Sequence, residues 1–297
     1  MKKTLTVLCL LFVTLSLAAQ GSRTVSRSID GKLQGKNIVI DKVQYRITYR
    51  TKSVNNTEER DSLGNYDYGM DDMRLDIGSK VSRFYSYTRE RFDSILYANM
   101  EKGDFDTSPG VSSGSIRWEM YRNYPEGKTS FFDAIFSNRY RIEEPTQQPE
   151  WEIVADSSAT IMGYPCQMAR TNFKGRTWTA WYTEDIPLDF GPWKLCGLPG
   201  LILRASDATG QFIFDGVGLQ QPKGSFDLIY NGSNDMAERI SMKDFVKTAG
   251  RITFGDIMAA QGIKMTAENT TISTFDGSEE NLDDVLNQKM PYNPIER

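Results

Sequence analysis

The sequence predicts a mainly β chain of the α+β kind: an antiparallel sheet, curved and half-barrel or sandwich-like, with one to three short helices packed on it. Two observations carry that prediction. Apolar and polar residues alternate with a period of two in many short runs separated by turn-forming residues, the pattern of strands buried on one face. Few segments instead repeat apolar residues three or four apart, the spacing that lines one face of a helix.

The first strand is read at residues 43–50, where Val43, Tyr45, Ile47 and Tyr49 share one face and Gln44, Arg46, Thr48 and Arg50 the other. A polar stretch with Asn55, Asn56, Gly64 and Gly69 interrupts before Met73, Leu75 and Ile77 resume the alternation, and residues 81–87 follow as their partner. Strands joined this directly make a meander, not parallel crossovers. Phe92, Ile95, Leu96 and Met100 place a helix over 88–101. Ile116, Trp118 and Met120 alternate again, and further strands are read around 131–140, 151–154, 160–172, 175–182, 201–205 and 211–219. Ser241 with Asp244 three residues on is a variant capping box ahead of Phe245 and Val246, and predicts a helix ending near Thr248. From Phe275 the chain is acidic, with Glu279, Glu280, Asp283 and Asp284, and is expected to be extended or partly mobile.

Lys2 and Lys3, an apolar run over residues 5–17 and the small-residue stretch Ala18-Ala19-Gln20-Gly21 have the form of a secretory signal peptide, cut near Ala19 or Gln20. The chain is therefore expected to divide into a signal peptide (1–20), an N-terminal extension (21–42) and one β-rich domain with an acidic tail (43–297). Cys9 has no small residue before it, so a free chain is expected and not a lipoprotein. No later segment approaches the roughly 18 consecutive apolar residues a spanning helix needs, so no integral membrane protein is expected. The expected location is the periplasm or the extracellular space.

None of the 297 residues is histidine. That removes Ser-His-Asp and Cys-His catalysis and histidine-ligated zinc, copper and haem. Gly110-Val111-Ser112-Ser113-Gly114 spells a nucleophile elbow by letters, but an elbow needs a base and a following helix, and the residues around Ile116 read as a strand. The formal net charge is −4 with no basic block, so nucleic-acid binding, which needs a clustered cationic footprint, is not expected. Glu143-Glu144, Glu184-Asp185 and Asp71-Asp72 are adjacent acids. Neighbours in a strand point to opposite faces, so these read as solvated pairs and not as a carboxylate dyad or calcium site. No cofactor and no metal is expected.

Once Cys9 leaves with the signal peptide, Cys166 and Cys196 remain. An even pair in an oxidising compartment is expected to form a disulfide, worth roughly 3–4 kcal/mol in the chain-entropy model.

The most distinctive segment is Gly197-Leu198-Pro199-Gly200-Leu201-Ile202, directly after Trp193, Lys194 and Cys196. Pro199 presets φ for the second position of a turn and Gly200 tolerates a positive φ next, so Leu198 to Leu201 reads as a type II turn. A turn set between two leucines must be buried or touch something. In the strand at 175–182, Trp178, Ala180 and Tyr182 share one face while Thr177, Thr179 and Trp181 share the other, so bulky aromatics stand on both sides. Two readings stay open. Either a helix or the loop between the cysteines covers the second face as core, or that face lines a groove for an apolar ligand. In the second case Trp178, Trp181, Tyr182, Trp193, Leu198, Pro199 and Leu201 form the binding site, with Trp193 at its rim.

Gly163-Tyr164-Pro165-Cys166-Gln167, Trp181-Tyr182-Thr183 with Ile186-Pro187, Gly191-Pro192-Trp193-Lys194, the hexapeptide at 197–202 and the closing Asn293-Pro294-Ile295-Glu296 resemble the GLPGLI family over roughly residues 43–297. The resemblance implies a β-rich exported domain of the Bacteroidota and supplies no catalytic residue to carry over. The expected function is that of an exported, non-catalytic envelope protein that binds an apolar small molecule or a protein partner through an aromatic-lined concave face. Its rivals are a structural or assembly component without a ligand and a hydrolase built on two carboxylates about 5–10 Å apart.

Overall fold

The alternating runs form strands in a simple order: β1 (Ile38–Lys42), β2 (Tyr45–Ser53), β3 (Gly69–Ile77) and β4 (Ser82–Ser86), then helix α1 (Tyr87–Glu101). β5 (Glu119–Arg122), β6 (Lys128–Ile135), β7 (Asn138–Pro145), β8 (Glu152–Ile161), β9 (Tyr164–Phe173), β10 (Arg176–Thr183), β11 (Leu201–Asp207) and β12 (Phe212–Gln220) follow. β13 (Asp227–Tyr230), a 3-10 turn at Gly232–Met236, β14 (Glu238–Arg239) and helix α2 (Met242–Ala249) come next. The chain continues through α3 (Phe254–Ala260), β15 (Ile272–Ser273), β16 (Glu279–Glu280) and α4 (Leu282–Leu286). This computed structural model describes residues 36–104, 110–224, 226–266, 272–273 and 279–297. The signal-peptide reading, most of the N-terminal extension and part of the acidic stretch lie outside the described residues.

Twelve strands make one sheet in the order β14-β7-β6-β5-β4-β3-β2-β12-β11-β10-β9-β8, antiparallel throughout except for the short parallel β14–β7 pair. Two meanders, β2 to β7 and β8 to β12, are joined where β2 pairs with β12. Register sets the faces. Ile47 lies opposite Leu75, Tyr49 opposite Met73, and Leu75 in turn opposite Phe84. All five are buried, so the alternation read from the sequence is the core-facing row of three adjacent strands. The same face continues through Met120 and Phe131 on one side and Phe214, Ala205, Ala180 and Trp178 on the other.

The second face of β4 to β6 is buried as well. Val43, Val81, Tyr121, Phe132, Leu228 and Tyr230 form a separate apolar cluster there. Its cover comes from β1 and β13, a two-stranded pair that sequence alternation did not reveal. Beside it Glu119 is buried and accepts from Arg83 Nε (3.0 Å), Arg139 Nη2 (2.7 Å), Asn234 Nδ2 (3.0 Å) and the Tyr121 hydroxyl (3.2 Å). Burial pushes its pKa up, but the two guanidiniums outweigh burial and hold it below the usual carboxylate range.

Helix α1 starts one residue before the expected boundary because Ser86 is its N-cap, accepting from Arg89 N at 2.9 Å. The Ser86 hydroxyl also donates to Asp71 Oδ1 (2.8 Å), and Asp71 Oδ2 accepts from Ile116 N (2.9 Å). Asp71 is thus buried with partners, against the solvated reading of the Asp71-Asp72 pair, while Asp72 on the opposite face pairs with Arg50. Ser241 caps α2 through Asp244 N (3.1 Å), and buried Phe245 lies edge-on to Tyr140, ring centroids 5.8 Å apart.

Two compact units are distinguishable, Lys36–Gly250 with Pro291–Arg297 in one, and Arg251–Met290 in the other. In the latter a capping box formed by Thr253 and Asp256 starts α3, and Asn281 caps α4. The acidic stretch is therefore helical over Leu282–Leu286, where an extended chain was expected.

The sheet ends at β8, which pairs only with β9 and is largely exposed. Its register breaks between Val154 and Ala159, where Asp156 takes a left-handed φ of 58°. There the Ser157 hydroxyl accepts from Met168 N (3.0 Å) and donates to Val154 O (2.7 Å), taking over hydrogen bonds that a regular ladder would make.

Replacing Glu119 with Ala is expected to cost about 3–5 kcal/mol of unfolding free energy, because it removes the buried acceptor shared by the partly buried Arg83 and Arg139, Asn234 and the Tyr121 hydroxyl, and leaves Arg83 only its longer pair with Glu90. Urea denaturation measures this, and Glu119→Gln is expected to cost less than Glu119→Ala.

Candidate functional site

The distinctive hexapeptide lies at the end of an ordered loop between β10 and β11. Backbone bonds close that loop on itself: Leu195 N to Pro192 O (3.1 Å), Gly197 N to Asp189 O (3.1 Å), Leu201 N to Ile186 O (3.0 Å) and Ile202 N to Phe190 O (3.0 Å). The Trp151 indole N–H donates to Cys196 O at 2.7 Å. The expected type II turn is not what forms. Positive φ falls on Gly197 (88°) and not on Gly200. Gly200 is required for a different reason, since a Cβ there would collide with the Thr183 carbonyl.

The expected disulfide is absent: Cys166 and Cys196 are both free and buried. Register explains why. In β9, Thr171 pairs with Trp178 and Ala169 with Ala180, so Cys166, with Met168, falls on the alternate face. Cys196 belongs to the other side, beside Met120, Arg122 and Thr129, whose face of the sheet is that of Trp178. The two thiols donate to different carbonyls, Tyr164 O and Gln147 O. Burial pushes both pKa values up, that of Cys196 to about 11, so both are unreactive thiols. The loop is pinned by its own backbone and by Trp151 instead.

Of the residues expected to bind, Trp178, Tyr182, Trp193, Leu198 and Leu201 are buried, Trp181 is half-buried and Pro199 is exposed. Trp181 stands on the opposite face of β10 from Trp178 and Tyr182. Trp178 and Trp193 belong to a chain of touching rings: Phe173–Trp193 (5.9 Å), Trp193–Trp178 (5.3 Å), Trp178–Phe214 (6.3 Å), Phe214–Phe84 (6.1 Å), Phe84–Trp118 (5.8 Å) and Trp118–Phe131 (5.3 Å). Trp193 holds its place with a left-handed φ of 53° and a buried indole N–H that no described residue accepts. Both are local costs, offset by the rings it touches.

This ladder ends at a cavity of about 70 Å³ that the hydrophobic pattern did not reveal. Trp118, Phe131, Phe212, Phe245 and Tyr292 supply its aromatic walls, with Met242 and Val246 of α2 and Pro294 and Ile295 of the C-terminal segment. Into it Asp133 brings a single aspartate. Its register partner is Tyr140, on the same face as Phe131, so alternation places the carboxyl inward. Ala134 N donates to Asp133 Oδ1 (2.7 Å), and no ion pair to Asp133 forms among the described residues. Burial pushes its pKa up to about 6, with only weak opposition from that N–H and from Arg117 and Arg139. Burial likewise pushes the Tyr292 phenol up.

A cluster of charge lies next to the ladder. The Lys194 ammonium, above Phe131 and Trp193 (5.8 and 5.9 Å to the ring centroids), pairs with both Glu144 and Glu296, and Lys174 Nζ lies 2.8 Å from Glu144. Glu143 and Glu144 do point to opposite faces, but Glu144 is drawn into this partly buried cluster and is not solvated. Among the described residues, no group of three or more Cys, Asp and Glu side chains is placed to hold a metal ion.

Residues 143–204 match a family described as "Protein of unknown function (Porph_ging)". That span holds β8 to β10, the loop and the hexapeptide. No curated protein matches the chain. Two solved structures of PNGF-II, in P21 and C2 crystal forms, match at 15% identity, with TM-scores of 0.43 and 0.42. Each match covers 68% of this chain but 32% of the PNGF-II chain, so this chain spans about a third of the length of those proteins.

Both thiols of protein lacking its first 20 residues are expected to be alkylated in denaturant without reductant, and neither in the folded state. Mass spectrometry counts the added groups. Asp133→Asn is expected to raise stability at pH 7 by up to about 3 kcal/mol and to change little at pH 3. The sign follows from the raised pKa: the folded state prefers the neutral acid, so the wild type loses stability as pH rises from the ordinary value of 3.8 through about 6. Denaturation midpoints of the two proteins across that range measure the difference.

Proposed function

We propose that this is an exported, non-catalytic binding protein of the GLPGLI type, and that its site is the aromatic cavity under α2 and the C-terminal segment. The observation that carries this reading is the unpaired carboxyl of Asp133 among Trp118, Phe131, Phe212 and Tyr292. The lining holds two acids, Glu296, which pairs with Lys194, and Asp133, which has no ion pair among the described residues, and an apolar cavity with that one uncompensated acid suits an apolar group that bears a positive charge. A cation restores the charge balance of the carboxylate and is attracted by the faces of the surrounding rings. Export is supported by the form of residues 1–20, and membership of the GLPGLI type by the hexapeptide at 197–202 within the matched span.

The reading as a structural or assembly component is favoured by one observation, the burial of Trp178 and Trp193 in a continuous ring ladder. A carboxylate-based hydrolase has less support, because Glu144 and Glu296, which converge, both pair with Lys194.

Calorimetric titration with hexyltrimethylammonium and with a neutral alkane analogue of the same shape separates the readings. Binding of the cation at least ten-fold tighter than the neutral analogue at pH 7.5 is expected, with that preference lost in Asp133→Asn. Equal or undetectable binding of both would rule out the cavity as a cation site and leave the structural reading.

A further inference from the structure

The last residues of the chain, Pro291–Arg297, are held in a way that packing alone does not demand. Arg176, with its side chain 2% exposed, donates Nη2 to Asn293 Oδ1 (2.7 Å) and to Pro294 O (2.6 Å), and Nε to Ile295 O (3.0 Å). Asn293 Nδ2 donates to Val54 O (2.8 Å). Ile295 is buried, Glu296 pairs with Lys194, and Arg297 N donates to Lys174 O (3.0 Å). The peptide is read residue by residue: an amide that donates and accepts, a proline with no N–H to leave unsatisfied, an aliphatic side chain and a carboxylate.

The groups that read it keep partners of their own. Arg176 Nη1 also donates to Asp207 Oδ2 (3.0 Å) and Gln211 Oε1 (3.1 Å), and Lys194 also pairs with Glu144. Neither cation depends on the tail alone for its position, which is the property of a preorganised receptor. In sequence, the tail is separated from α2 by the whole of Arg251–Met290, which belongs to the other compact unit.

We propose that Arg176, Lys194 and the Val54 carbonyl form a receptor for an extended Asn-Pro-Ile-Glu peptide, that Pro291–Arg297 occupies it as an exchangeable ligand, and that the tail of a second copy takes its place by segment exchange. Exchange of an identical element between copies preserves every contact and costs little beyond opening.

The test uses folded full-length protein with a protease site inserted between Met290 and Pro291. After cleavage, a fluorescent Pro-Tyr-Asn-Pro-Ile-Glu-Arg peptide is expected to exchange into the protein, read by anisotropy. Peptides carrying Asn293→Ala or Glu296→Gln are expected to bind at least ten-fold more weakly. In the uncut protein, amide hydrogens of 291–297 are expected to exchange at least ten-fold faster than those of β2 and β10, and concentrated samples to form dimers that excess free peptide disperses. Loss of the cooperative fold on release of the tail, equal binding of all three peptides, or tail amides that exchange only with global unfolding would overturn the receptor. A strictly monomeric uncut protein at all concentrations would overturn exchange between copies.

Discussion

Lys194 is the constraint on which the arrangement turns. Its side chain is 5% exposed, and removing an ammonium from water costs several kcal/mol unless carboxylates meet it. Those carboxylates come from far apart in the chain, Glu144 at the end of β7 and Glu296 three residues after Asn293. The sheet therefore has to bring β7 to the loop after β10 before the charge is compensated, and the seated C-terminal segment supplies the second carboxylate. Burial pushes Glu144 up, but Lys194 and Lys174 outweigh it and hold its pKa low; for Glu296 burial outweighs Lys194, and its pKa is raised. The aromatic ladder passes through the neighbouring residue, Trp193, whose ring the Lys194 ammonium also faces.

Much of the sheet was legible because its physical cause is local. Alternation in β2, β3 and β10 reflects one buried face, and Ser241 caps its helix as its side chain dictates; the cap at Ser86 was not read. β1 and β13 were not legible, since they are short and pair with each other across the length of the chain to cover a face of β4 to β6. The disulfide failed for a related reason: cysteine number and compartment say nothing about which face of β9 Cys166 occupies. Gly200 shows a subtler limit. A turn-forming letter pattern was present, yet the glycine answers to a carbonyl of another segment, Thr183, and not to its own φ.

The site was only partly visible. Trp178, Trp193, Leu198 and Leu201 were expected to line a binding face, but they are interior, whereas the open space lies at the far end of the ring ladder. Trp118 and Phe131 appeared in the sequence as ordinary members of strands. Asp133 sits two residues beyond Phe131 on the same face, so an acid in phase with a buried row was the signal that marked it. The closing Asn-Pro-Ile-Glu was noticed as a motif, but its partners, Arg176 and Lys194, are identified only by the fold.

The irregularity in β8 bears on how the protein behaves among other chains. An unpaired outer strand offers a row of backbone donors and acceptors to any extended neighbour, and a flat one invites fibril-like stacking. Here the left-handed turn at Asp156 and the Ser157 hydroxyl interrupt that row midway. At the opposite border the sheet tapers to the two residues of β14. Both margins of the twelve-stranded sheet thus carry an interruption, which works against open-ended strand addition there.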